Sequence, residues 1–328
     1  MKNKYKKFNI SIIAIVTILL LTFVAINAFI YKDYGASLWL ESIYNKKIEY
    51  AHSIKTQKII IVGGSNVLFS IDTRKLERKL GIPVVNTGTN AGLGLPYLLY
   101  RIKKDFAKPG DTVLLSIEES LFNGKKDASE ELFKYVRSYD KEYFKKLSLK
   151  DKLKGYSRVN FNNFLNFLIM DQKIKKEGIK AVADVTYNPE NLNDNGDQTK
   201  NDGHKTVDFD KKNIIIKQLK DKLDFENYSM VKLVEFLDWC DGNNIKVIYH
   251  FPTIPFHEEY SNEEYSIQRN ELKQFFKSRN ILVLDTSDVY YLDDQMFYDT
   301  GYHLNNDGRF IRTNAILREL KKVLNINE

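Results

Sequence analysis

Lys58-Ile59-Ile60-Ile61-Val62-Gly63-Gly64-Ser65-Asn66 decides how this chain is read. Four consecutive β-branched residues are the signature of a strand buried on both faces. Two glycines then let the chain turn sharply at the strand's carboxyl end. In an open parallel sheet that end is where ligands gather, so Ser65 stands where a nucleophile would. A serine after such a turn is also an ordinary helix cap. The choice between the two depends on the partners supplied elsewhere in the chain.

Downstream, the pattern alternates. Residues 66 to 80 read as helix, with a possible break at Asp72-Thr73 and a C-cap at Gly81. Ile82 to Val85 is a short strand that runs into a second glycine-bearing loop, Asn86-Thr87-Gly88-Thr89-Asn90-Ala91-Gly92-Leu93-Gly94. Leu95 to Phe106 reads as helix, and Asp111 to Ile117 as a third strand ending in Glu118-Glu119. Later come a helical stretch over 210 to 243, a strand at Ile245 to Phe251, a helix over 262 to 279, a strand at Ile281 to Asp285 and a last helix from Asn306 to Asn327. Strands alternating with helices predict right-handed crossovers and a parallel α/β sheet. Residues 123 to about 212 break the rhythm and read as an insertion, a helical cap followed by a long polar loop.

Upstream, Lys2, Lys4, Lys6 and Lys7 precede an uncharged apolar run from Phe8 to Ile30. Roughly 20 residues at about 1.5 Å each span a bilayer core. Ala25 and Ala28 make a poor cleavage site, so the run reads as an uncleaved anchor, with the lysines holding residues 1–7 on the cytoplasmic side. Residues 31–57 are then a juxtamembrane helix or linker, and 58–328 an extracytoplasmic domain. The chain has 328 residues, 43% of them hydrophobic, and a formal charge of +7. That is enough for a sizeable core. The charge carries no arginine stripe or nucleic-acid motif, and suits an anionic surface or polymer better than nucleic acid. One cysteine, Cys240, excludes a disulfide framework.

A serine nucleophile needs a base, and the base needs an orienting partner. His52, His204, His250 and His257 have structural or solvent-exposed readings. His303 lies just before the last helix, with Asp299 four residues earlier, within reach of one turn. Ser65, Asp299 and His303 have the composition of a triad. Two rival ligands are weaker. Asn191, Asn193, Asn195, Gly196 and Asp202 fall on calcium-loop spacing, but the leading Asp, the closing Glu and the flanking helices are missing. Gly88, Gly92 and Gly94 match no dinucleotide or P-loop pattern. No metal or cofactor is expected.

With these residues quoted, the chain resembles the SGNH/GDSL hydrolase superfamily over 58–122 and 243–325. Gly63-Gly64-Ser65-Asn66 resembles its nucleophile block, Asn86 to Gly94 its second block, and Asp299 with His303 its closing block. The resemblance implies a three-layer flavodoxin-like SGNH fold with a five-stranded parallel sheet, a helical insertion and one N-terminal transmembrane helix. It implies Ser65 as nucleophile, His303 as base and Asp299 as orienter, with Gly92 and Asn90 as oxyanion donors beside the Ser65 N–H. Asn66, Glu118 and Glu119 would lie near substrate. The chain departs from the pattern in three places. Gly64 stands for the usual Asp, three residues separate Asp299 from His303 instead of two, and Glu118 stands for the usual oxyanion Asn. An outward-facing domain of this kind on one anchor is similar to proteins that act on cell-envelope polymers, the D-alanyl transfer and polysaccharide O-acetylation proteins. That similarity implies a glycan or teichoic-acid-like substrate and a membrane-bound O-acyltransferase as partner. The expected function is an extracytoplasmic serine esterase or O-acyltransferase. The alternative is a non-catalytic, glycan-binding accessory of an acyltransferase.

Overall fold

The computed structural model describes residues 2–29, 32–158, 161–181, 187–203, 219 and 222–326. His204 and most of the helix expected from 210 lie outside them. The helices are α1 (Lys2–Phe29), α2 (Ala36–Ser53), α3 (Ser65–Ser70), α4 (Thr73–Leu80), α5 (Leu95–Arg101), α6 (Glu130–Ser138), α7 (Lys141–Lys146), α8 (Leu149–Ser157), α9 (Phe161–Glu177), α10 (Tyr228–Gly242), α11 (Ile267–Ser278) and α12 (Asn306–Leu324). The chain divides into two compact units, one of residues 1–39 with 133–182, the other of 40–132 with 183–328.

The second unit holds the sheet. β1 (Ile59–Val62), β2 (Val84–Asn86), β3 (Thr112–Leu115), β4 (Lys246–Tyr249) and β6 (Leu282–Val283) lie in the order β2-β1-β3-β4-β6. Every pairing is parallel. The strands are shorter than the apolar runs that announce them, because pairing ends where the chain leaves for its loops. A second parallel pair, β5 (Ile254–Pro255) with β7 (Tyr291–Leu292), has no counterpart in the sequence reading. The order reverses between β1 and β3, so the crevice outside their carboxyl ends is the topological switch point. Ser65 follows one of these strands and Glu118 the other.

Alternation along the strands builds two cores. Ile59, Ile61, Leu114 and Ile248 pack with Val67, Leu76, Ile316 and Leu320 from α3, α4 and α12. Each such side chain is worth about 1.5–3 kcal/mol when fully buried. The alternate residues Ile60, Val62, Val113 and Leu115 are buried as well, and α5 packs on α10. Layers on both faces are what an all-parallel sheet requires. The expected break between α3 and α4 is real. Ile71 is extended, Asp72 caps α4 by accepting from Lys75 N at 2.8 Å, and Gly81 closes it at φ 68°. The helix expected over Leu95–Phe106 is regular only to Arg101 and then widens into a π-helical turn. α10 starts at the cap Asn227, so the described residues 222–227 are not part of the helix expected there.

The compact unit that holds the sheet takes in α2 from Leu40 onward. Leu40, Ile43, Tyr44, Lys47 and Ala51 of α2 are buried, at spacings that put them on one face. Lys47 belongs to that face, and its Nζ donates to the carbonyls of Asn86 (2.9 Å) and Gly88 (2.7 Å). Burial lowers its pKa to about 7. The polar residues of the loop 187–203 bond the fold itself. Asn193 bonds Asp197 through both side-chain atoms, and Asn195 donates to Glu77 (2.8 Å) and the Val84 carbonyl (2.9 Å). Asp197 in turn caps α4 through Thr73 N (2.9 Å) and Thr73 Oγ1 (2.6 Å). The polar residues of this loop are mortar for the fold.

The first unit contains α1 and the helices α7 to α9. Within α1 the apolar side chains from Phe8 to Val24 that are described are exposed. The unbroken stretch of described side chains runs from 8 to 22, and among the described residues no helix is long and apolar enough to cross a membrane. Gly155 lets α8 close on Phe133, whose ring lies 2.2 Å from where a Cβ would be.

Candidate active site

Asp299 and His303 meet. Oδ1 of Asp299 lies 2.6 Å from Nδ1 of His303. The three residues between them are taken up by a tight loop. Tyr298 N donates to the His303 carbonyl (2.7 Å), Asn305 N to the Met296 carbonyl (2.9 Å), and Phe297 bridges Leu304. An ionised carboxylate only accepts, so the imidazole proton sits on Nδ1 and leaves the Nε2 lone pair as the base. Tyr187 donates to the other oxygen of Asp299 at 3.4 Å.

α3 carries the imidazole on its own side chains. The Phe69 ring stacks on His303 at 4.1 Å and 11°. Ser70 Oγ accepts from Leu304 N and donates to the Tyr302 carbonyl, both at 2.9 Å, which pins the loop on either side of His303. Ser65 is four residues before Phe69, one turn away on the same side of the helix. It is half-buried. As the first residue of α3 its N–H has no helical partner, and among the described residues it makes no hydrogen bond.

Glu118 explains Gly64. The Glu118 carboxyl is buried and accepts from Gly64 N (Oε2, 3.2 Å) and Asn66 N (Oε1, 3.3 Å), on either side of Ser65. A Cβ on Gly64 would come within 2.4 Å of Oε1 and 2.8 Å of the Ala91 Cβ. This glycine is required by crowding. Gly64 and Glu118 are thus one feature, since a Glu at 118 leaves no room for a side chain at 64.

Burial raises the Glu118 pKa from 4.5 to about 7, and the neighbouring Glu119 adds to the rise against three backbone N–H groups that lower it. The sign follows. As pH climbs from about 4.5 to 7 the unfolded carboxyl ionises while the folded one stays neutral, so the folded state loses stability. The loss is on the order of 3 kcal/mol. Urea melts at pH 4.5 and 7.5 are expected to show it in the native chain and to show that much less in Glu118→Gln.

The other residues drawn from the sequence fall into place differently. Asn66 does not face a ligand. It is buried, and its Nδ2 donates to the Ser116 carbonyl at 3.1 Å, tying the turn to the end of β3. Glu119 is buried too, and receives Tyr290 OH (2.9 Å) and Tyr302 OH (3.4 Å). The Gly92 N–H is engaged, donating to Asn90 Oδ1 at 2.7 Å. His250 stands just past β4, not within it, and burial holds it neutral.

Arg312 is the residue sequence reading missed. Fully buried, it donates to the Asn66 carbonyl (3.0 Å), Ser116 Oγ (2.7 Å) and His250 Nε2 (3.2 Å). It braces the turn that bears Ser65 from beneath. The signal was present, since Arg312 falls on the stripe of Gly308, Ile316 and Glu319 that α12 buries.

No protein-family model matches this chain, and no curated protein matches it. Among solved structures it is similar to a GDSL-like lipase from Bacteroides thetaiotaomicron, with 12% identity, 87% of this chain and 99% of that one covered, and a TM-score of 0.39. It is also similar to a lipolytic protein of the G-D-S-L family from Desulfitobacterium hafniense, with 13% identity, coverage of 80% and 99%, and a TM-score of 0.38.

Proposed function

We propose that this protein is a serine esterase or O-acyltransferase, with Ser65 as nucleophile, His303 as base and then acid, and Asp299 as the group that fixes the imidazole tautomer. The observation that carries this reading is the Asp299–His303 pair, stacked on the Phe69 ring of the helix that begins with Ser65. Ser65 Oγ attacks the ester carbonyl carbon and passes its proton to His303 Nε2. The carbonyl electron pair moves onto oxygen, toward the Ser65 N–H. As the pair returns, the bond to the alcohol breaks and His303 protonates it. Water or an acceptor hydroxyl then takes the acyl group by the same steps in reverse.

The finer reading is a membrane-anchored enzyme acting outside the cell on ester groups of a glycan or teichoic-acid-like polymer, beside a membrane-bound O-acyltransferase. What supports the anchor is the lysine cluster followed by the apolar run, and the exposure of that run along α1. A helix apolar on all sides calls for an apolar surrounding. Polymer and partner rest on the family resemblance alone. The test is a fluorophosphonate probe applied to the full chain in detergent. Native protein is expected to label at Ser65, confirmed by peptide mapping, and Ser65→Ala to stay unlabelled. Equal labelling of both, or of neither, refutes the assignment.

The engaged Gly92 N–H and the carboxyl at 118 favour a second reading, a non-catalytic accessory that binds the polymer. Under it Ser65→Ala leaves polymer acylation in cells unchanged, whereas the enzyme reading expects acylation to be lost.

A further inference from the structure

Glu118 is placed too close to Ser65 to be a bystander. Its carboxyl bonds the residues before and after Ser65 and so brackets the Ser65 N–H, which makes no hydrogen bond among the described residues. Its partners are all donors: Gly64 N, Asn66 N and its own N–H. Around it, among the described residues, the titratable and charged groups are Glu119 beside it in the chain, Tyr249 at the end of β4, Tyr302 before His303, and Arg312 of α12. Arg312 spends its guanidinium on Asn66, Ser116 and His250. The hydroxyls of Tyr290 and Tyr302 go to Glu119. Among the described residues no cation therefore touches the Glu118 carboxyl, and its neighbour in the chain, Glu119, has its own sign. A proton on it finds no acceptor among its protein partners.

We propose that Glu118 takes part in the reaction as a neutral carboxyl, donating a hydrogen bond to the oxyanion that forms beside Ser65. The idea rests on Ser65 being the nucleophile. The missing acceptor is then supplied by the reaction itself, since the oxygen that becomes negative lies next to the Ser65 N–H that Glu118 brackets. No proton is transferred to it; the O–H only donates, and the carboxyl stays neutral through the step. Both oxygens keep accepting from Gly64 N and Asn66 N, which an amide could not do, because its nitrogen cannot accept. An ionised Glu118 would instead oppose the oxyanion with its own charge. One donor of this kind is worth about 10²–10³-fold in rate, and burial holds the carboxyl neutral up to about pH 7.

The experiment is the pH dependence of Ser65 phosphonylation by a fluorophosphonate, on the full chain in detergent from about pH 5 to 9.5. In native protein the rate is expected to fall about tenfold or more between pH 7 and 9 as Glu118 ionises. Glu118→Asp should keep a falling limb, and Glu118→Gln should lose it. A native rate that climbs to a level plateau overturns the proposal without any variant. So does a fall of equal midpoint in Glu118→Gln. If native protein does not label at any pH, the nucleophile assignment fails first and this role goes with it.

Discussion

Replacing Ser65 or His303 by alanine is expected to lower kcat/KM on a soluble ester by about 10⁴–10⁶-fold, and replacing both to cost no more than replacing one. Nucleophile and base act as a unit. Without the imidazole the Ser65 hydroxyl keeps its proton, and without the hydroxyl the imidazole has nothing to activate. Asp299→Asn is expected to cost about 10⁴-fold, because an amide aimed at Nδ1, now 2.6 Å from the Asp299 oxygen, can donate and so favour the wrong tautomer. Hydrolysis of a p-nitrophenyl ester by the three single variants and the Ser65/His303 double variant would measure this. Losses that add, or a native rate no higher than the double variant's, would leave the triad without support and favour the accessory reading.

Gly64→Ala is expected to destabilise the fold by about 1–3 kcal/mol, the range for overpacking a buried site, and to be partly rescued by a second change at Glu118. The new methyl meets Glu118 Oε1 at 2.4 Å and the Ala91 Cβ at 2.8 Å, so the carboxyl must swing out of its two backbone hydrogen bonds. Glu118→Ala alone leaves the Gly64 and Asn66 N–H groups unsatisfied, at about 1–3 kcal/mol. The two costs share one cause, the displaced carboxyl. The double variant should therefore be more stable than the sum of the singles by about 1 kcal/mol or more, within the range seen for residues in contact. Ala91 keeps the rescue incomplete. Urea unfolding of the four proteins closes the cycle. Simple additivity would mean that the carboxyl does not occupy the space beside Gly64.

The sheet was legible because its signal is dense. Ile59 to Val62 has one reading, and the later apolar runs give way to a glycine-bearing loop, an acidic pair, Pro252 and Asp285. Their parallel pairing followed from the alternation of strands with helices. Asp299 and His303 were legible because four residues lie within one turn of each other. Three things were hidden for a common reason, which is that a buried polar residue looks exposed in a sequence. Lys47 and Arg312 occupy core stripes of α2 and α12, yet their charge places them at the surface by default. The asparagine-rich loop read as a long polar loop, when its amides stitch α4 to β2. Glu118 was read as a lost oxyanion donor. Its bonds to both flanks of Ser65, and the room that Gly64 leaves for it, exist only in three dimensions.

Lys47 also settles where the sheet unit can be cut. A fragment starting at Lys58 would look complete on a map of strands, but it would strip the carbonyls of Asn86 and Gly88 of their ammonium partner and open a groove where Leu40, Ile43 and Tyr44 had been. The loop that holds Asn90 and Gly92 would lose its backing, and with it the second side of the site. Soluble material for crystallography or screening should begin near Ala36, at the start of α2. Protein trimmed further would test a site that has lost a helix, and its silence would say nothing of the chemistry.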